Sequence, residues 1–141
     1  MIAGATFPVY MPSNTVAGTT YYYCVVSGTC TPTLTSDVSG AITISPASVS
    51  GTISGTASIC SGATTTLTLT GNTGTVQWQE FDGSAWNDII GATAITYTTP
   101  ALTQNTSYRA VVASGYCTPA NTTSFNVVVN WIICNSYYWR I

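Results

Sequence analysis

Residues 73–117 read TGTVQWQEFDGSAWNDIIGATAITYTTPALTQNTSYRAVVASGYC, and the rest of the chain completes or repeats part of this stretch. Successive side chains of a strand point to opposite faces, so a strand over residues 75–80 sets Val76 and Trp78 on one face. Asp82-Gly83 signals a tight hairpin, and Trp86 falls on the strand that returns from it. Residues 95–98 form a short strand with Tyr97, closed by Pro100. After a polar corner, a strand over residues 107–113 directs Tyr108, Ala110 and Val112 inward.

Working outward, the same reading holds on both sides. Residues 64–70 alternate Thr with Leu67 and Leu69, the pattern of a half-buried strand. Residues 71–74 (Gly-Asn-Thr-Gly) are a turn, and residues 125–129 form a last strand. This makes about seven short strands separated by turns, the number a β-sandwich needs. Thr and Val, which favour strands, and Gly and Ser, which favour turns, dominate the composition. No window carries helical apolar spacing, so the expected class is all-β.

The 141 residues hold two basic and four acidic side chains and no His. Two arginines cannot neutralise a row of phosphates, so nucleic acid is not an expected partner. No apolar run approaches the roughly 20 residues that a membrane-spanning helix needs. No charged start followed by an apolar segment marks a signal peptide. Five cysteines in so weakly charged a chain nevertheless suit an oxidising compartment. Both observations fit a piece of a longer secreted protein, extracellular or at the cell surface.

The chain repeats internally. Gly4-Ala5-Thr6 recurs as Gly91-Ala92-Thr93, Tyr10 as Tyr97, Tyr21 as Tyr108, and Cys30-Thr31-Pro32 as Cys117-Thr118-Pro119, each pair 87 positions apart. Residues 58–130 form a complete unit on this reading, and residues 1–44 match only its back half. The last three strands of that partial copy are expected over residues 7–11, 20–26 and 38–44. Residues 45–57 read as a Ser/Gly/Pro linker. Residues 131–141 (WIICNSYYWRI) break the pattern. A one-base shift of their codons could recover something close to the linker composition, which suggests a frameshift.

Residues 59–62 (Ile-Cys-Ser-Gly), 76–79 (Val-Gln-Trp-Gln), 90–93 (Ile-Gly-Ala-Thr), 97–102 (Tyr-Thr-Thr-Pro-Ala-Leu) and 108–117 carry a resemblance as a set. The unit resembles the immunoglobulin-like tandem repeats of large secreted bacterial surface proteins, often exported with a C-terminal sorting domain. The resemblance covers residues 58–130 in full and residues 1–57 as a partial copy plus linker. It implies an immunoglobulin-like sandwich, an adhesive, display or spacing role, and no enzymatic activity.

Several residues can be assigned within that frame. Leu67, Leu69, Val76, Trp78, Tyr108 and Val112 are the candidate core. Tyr108 stands where a sandwich ties a tyrosine hydroxyl back to the chain. Cys60 and Cys117 flank strands whose ends should lie on one side, so a disulfide is expected, closing a loop worth about 4 kcal/mol; the alternative is two thiols. Cys24, Cys30 and Cys134 have no assigned partner, and an odd count leaves at least one cysteine over. Phe81 and Trp86 flank the Asp82-Gly83 turn and are the candidate ligand contacts, with a hairpin clasp as the plain alternative. Glu80, Asp82 and Asp88 cluster without a calcium-loop pattern. Without His, a nucleophile elbow or a phosphate loop, neither catalysis, a metal nor a cofactor is expected. Neighbouring repeats or other copies of the chain are the expected partners, with a surface glycan or protein as a further one. A structural or adhesive module is thus expected, against two rivals: a carbohydrate-binding module, and a fibre subunit completed strand by strand between chains.

Overall fold

The computed structural model describes residues 2–29 and 32–131. They contain strands and no helix. The chain divides into two compact units, Met1–Pro46 and Ala47–Ile141.

The first unit is a long irregular hairpin. It consists of β1 (Gly18–Thr20), β2 (Val25–Val26), β3 (Leu34–Thr35) and β4 (Ile42–Ile44). β1 pairs with β4 and β2 with β3, both antiparallel. Between these ladders the Ser36 N–H donates to the Cys24 carbonyl at 2.8 Å while the Cys24 N–H donates to the Ser36 hydroxyl at 2.9 Å. Ser39 and Tyr22 make the same exchange at 2.7 and 3.0 Å. At each step a side-chain oxygen stands in for a carbonyl that the bulged ladder has lost. None of the described residues of this unit is buried. The strand expected over residues 7–11 does not form, and the one over residues 20–26 is broken at residues 21–24. A strand without a partner leaves its own N–H and C=O groups unpaired, and local β-propensity does not offset that.

The second unit holds β5 (Thr52–Ser54), β6 (Ser58–Cys60), β7 (Thr66–Thr70), β8 (Thr75–Phe81), β9 (Trp86–Asp88), β10 (Thr96–Thr98), β11 (Thr106–Ala113), β12 (Ala120–Asn121) and β13 (Phe125–Asn130). One sheet runs β10-β7-β5 and the other β6-β13-β11-β8-β9, with β12 against β11. Pairing is antiparallel except for β6 beside β13, which is parallel. The two sheets enclose one apolar cluster in a sandwich-like arrangement. Ile53, Leu67 and Leu69 come from the first sheet; Ile59, Val76, Trp78, Tyr108, Ala110, Val112, Val127 and Val129 come from the second. Leu67, Trp78, Tyr108 and Val112 are completely buried. The alternation read from the sequence sends these side chains inward. Gly74 enables the turn into β8: its φ is +129°, and a Cβ there would lie 2.5 Å from the Ala113 carbonyl oxygen.

Three expectations are corrected here. Residues 45–57 are not simply a linker. Ile53 is buried, and β5 pairs Thr52 with Thr70 and Ser54 with Thr68. The complete unit therefore begins at Ala47 rather than at residue 58.

Cys60 and Cys117 do not meet. The parallel pairing of β6 sets Cys60 beside Asn130, at the end of the sheet where β11 begins. Cys117 follows the other end of β11. Eight residues of extended strand cover roughly 26 Å, whereas a disulfide needs Cα atoms about 4.4–6.8 Å apart. The Cys117 N–H donates to the Ser114 carbonyl at 3.0 Å in the turn after β11, which fixes that end. Cys24 is exposed. Cys30, Cys134 and the frameshift proposed for the tail lie outside the described residues, except that Trp131 is described and exposed.

The Tyr108 hydroxyl does not tie back to the chain. It is buried with no hydrogen-bond partner.

Candidate ligand-binding face

The strand alternation that buries Val76 and Trp78 turns Gln77, Gln79 and Phe81 to the outer face of the second sheet. Register then assembles two rows there. Phe81 lies opposite Trp86 on β9 and Ser107 on β11. Gln79 lies opposite Asp88 on β9 and Arg109 on β11.

The first row is aromatic. The Phe81 and Trp86 rings have centroids 5.2 Å apart, tilted at 45°. The Arg109 guanidinium sits 4.5 Å from the Trp86 ring centroid, a cation–π contact worth about 0.5–1 kcal/mol at an exposed site. The second row is a polar relay. Arg109 Nε donates to Gln79 Oε1 at 2.7 Å, and Gln79 Nε2 donates to Asp88 Oδ1 at 2.7 Å. Phe81 and Trp86 are therefore brought together, as a clasp across the hairpin. One face of the indole is already covered by Arg109.

The hairpin is closed by Asp82. Its Oδ1 accepts from the Ser84 N–H and the Ala85 N–H, each at 2.8 Å, and from the Ser84 hydroxyl at 3.1 Å. Its Oδ2 accepts from Asn87 Nδ2 at 2.7 Å. The Ala85 and Ser84 N–H groups, with Asn87, hold the Asp82 carboxyl well below the usual carboxylate range. The loop spans residues 82–85, with the Asp82 N–H donating to the Ala85 carbonyl at 3.1 Å.

Beside this hairpin lies a half-open cleft of about 400 Å³, lined by Glu80, Phe81, Asp82, Gly83 and residues 104–107. Two carboxylates line it, but Asp82 is fully engaged in holding the turn and is a poor proton donor. Inside the sandwich, Tyr108 stands opposite Glu80 across the β8–β11 pair. Burial, with Glu80 and Tyr97 nearby, pushes the Tyr108 hydroxyl well above its usual range. Trp78 is not on this face. It packs 5.9 Å from Tyr97, and its Nε1 donates to the Ala94 carbonyl at 2.9 Å.

Arg109 was the residue missed in the sequence. Its signal was present: a lone Arg in the outward phase of a strand, beside the inward Tyr108. Its position over Trp86 depends on a register that the sequence alone does not supply. Among the described residues no group of three His, Cys, Asp or Glu could hold a metal ion. No helix among them is long and apolar enough to cross a membrane.

The class is thus an all-β domain of two facing sheets with a clasped outer hairpin. Residues 49–131 match a domain of unknown function (DUF8696), and the chain belongs to that family. The match ends at Trp131 and begins just ahead of β5, so it takes in every strand of the second unit. No curated protein and no solved structure matches the chain.

Proposed function

We propose that this chain is a non-catalytic repeat module of an extracellular bacterial surface protein, immunoglobulin-like in topology, that spaces or displays neighbouring domains. The internal repeat carries this reading. A unit that recurs after 87 positions behaves as a tandem module, whose stability comes from its own core and whose number sets reach. The sparse charge and the cysteine content suit exposure outside the cell. An antibody raised against the second unit tests this on intact cells. Surface labelling that disappears after protease shaving is expected. Antigen detected only after lysis would refute the surface role.

A second reading is a carbohydrate-binding module, favoured by the Phe81–Trp86 pair beside a guanidinium. Glycan-array binding abolished by Trp86→Ala, with the fold intact, would select it over the spacer role.

A further inference from the structure

We propose that the hairpin of residues 18–44 is a docking surface for a segment of the same chemistry as residues 47–87, the stretch that covers the equivalent hairpin in the second unit. The inference rests on the internal repeat and not on the surface role proposed above.

The two hairpins correspond. In the second unit Ala110 and Thr122 make the exchange seen twice in the first: the Thr122 N–H donates to the Ala110 carbonyl at 2.9 Å, and the Ala110 N–H donates to the Thr122 hydroxyl at 3.0 Å. Their fates differ. Tyr108, Ala110 and Val112 are completely buried, beneath Leu67 and Leu69 and beside Val76 and Trp78. The same positions 87 residues earlier are Tyr21, Tyr23 and Val25, which are 61%, 63% and 43% exposed. Residues 1–17 repeat residues 88–104, so the counterparts of β5, β7 and β8 are not among residues 1–46.

The aromatic contacts record the missing layer. Tyr97 packs on Tyr108 at 5.7 Å and on Trp78 at 5.9 Å. Its counterpart Tyr10 packs instead on Tyr22, at 5.5 Å. Tyr22 is one residue out of phase and belongs to the opposite face of the strand. With no indole to close the inward stack, Tyr10 has taken the partner on the other side. An edge is open as well. β11 pairs with β8 through seven residues, from Ser107↔Phe81 to Ala113↔Thr75. β1 and β2 each pair with one strand among the described residues, and an unpaired edge recruits another strand.

A second intact copy is a poor occupant. Its Leu67, Leu69 and Trp78 are consumed in its own core. What fits is an additional front-half segment, with two leucines on one strand and a Val-x-Trp on the next.

The test is the full chain with an extra copy of residues 47–87 fused directly ahead of Met1, which restores the spacing of 87. Tyrosine nitration with tetranitromethane, read by peptide mass mapping, reports each ring. Tyr21 and Tyr23 are expected to lose reactivity by roughly tenfold, alongside slower amide exchange over residues 18–26. Tyr22 is expected to gain reactivity as Tyr10 leaves it, which separates docking from general collapse. Leu67→Asp in the added copy should return Tyr21 and Tyr23 to their original reactivity. A peptide of residues 47–87 added in trans to the intact chain should give the same pattern, however the fusion folds. Unchanged Tyr21 and Tyr23 in both arms would overturn the proposal. So would protection that survives Leu67→Asp. Protection that grows with concentration in the unfused chain would assign the face to a second copy and overturn it equally.

Discussion

Tyr108 shows how far a residue can depart from its sequence reading while keeping its place. Its ring is completely buried, stacked 5.7 Å from Tyr97. Its hydroxyl is the buried polar group without a partner, and an orphaned hydroxyl costs about 1–3 kcal/mol. Tyr108→Phe should therefore leave urea stability at neutral pH unchanged or raise it by about 1 kcal/mol. A loss of that size instead would show that the hydroxyl is tied after all. The pH dependence has a definite sign. Burial, with Glu80, raises the folded-state value above the ordinary 10.0, so the folded chain keeps its proton where the unfolded chain releases it. This contribution is full below pH 10.0 and is lost as pH climbs beyond it. Tyr108→Phe should flatten part of that alkaline decline, leaving the part due to Tyr97, whose hydroxyl burial also pushes up.

At the scale of elements, β5 is the most informative strand. Three residues, Thr52-Ile53-Ser54, sit in a stretch of Ser, Gly and Pro that reads as a connector. Yet Ile53 joins the core, and the strand covers the edge of β7. Ile53→Ala should cost about 2–4 kcal/mol by urea denaturation, as buried aliphatic truncations do. Ile90→Ala, at a side chain that is 99% exposed, serves as the control and should shift the midpoint hardly at all. Equal small effects at the two sites would restore the linker reading of residues 45–57. The alternation of Thr52, Ile53 and Ser54 was legible, but three residues of alternation are too few to outweigh the surrounding turn composition.

Over the whole molecule, stability should be divided between the two units. The β8–β11 ladder lies at the centre of its sheet and carries Trp78, Tyr108 and Val112. The ladders of the first unit are short and flanked by exposed side chains. Amide exchange measured by mass spectrometry should therefore be slowest over residues 75–81 and 106–113, opening only with global unfolding. Exchange over residues 18–20 and 42–44 should be faster by orders of magnitude, since few buried contacts oppose local opening. Comparable protection in the two regions would mean that the first unit holds a core of its own.

The alternation of apolar and polar residues determined the class and the inward set: Leu67, Leu69, Val76, Trp78, Tyr108 and Val112 all lie in the apolar cluster. Those choices are local, because a strand's side-chain period is two whatever its partners. The repeat was equally legible, since identity at a constant offset needs no structure. Only the tertiary structure decided which strands are neighbours. The parallel pairing of β6 with β13 joins residues about 70 apart and carries Cys60 to the far end of the sheet from Cys117. The β8–β11 register carries Arg109 over Trp86, and β5 onto β7 makes a strand of an apparent linker. Such pairings depend on which backbone groups find partners once loops close and a core forms, and no local pattern encodes that.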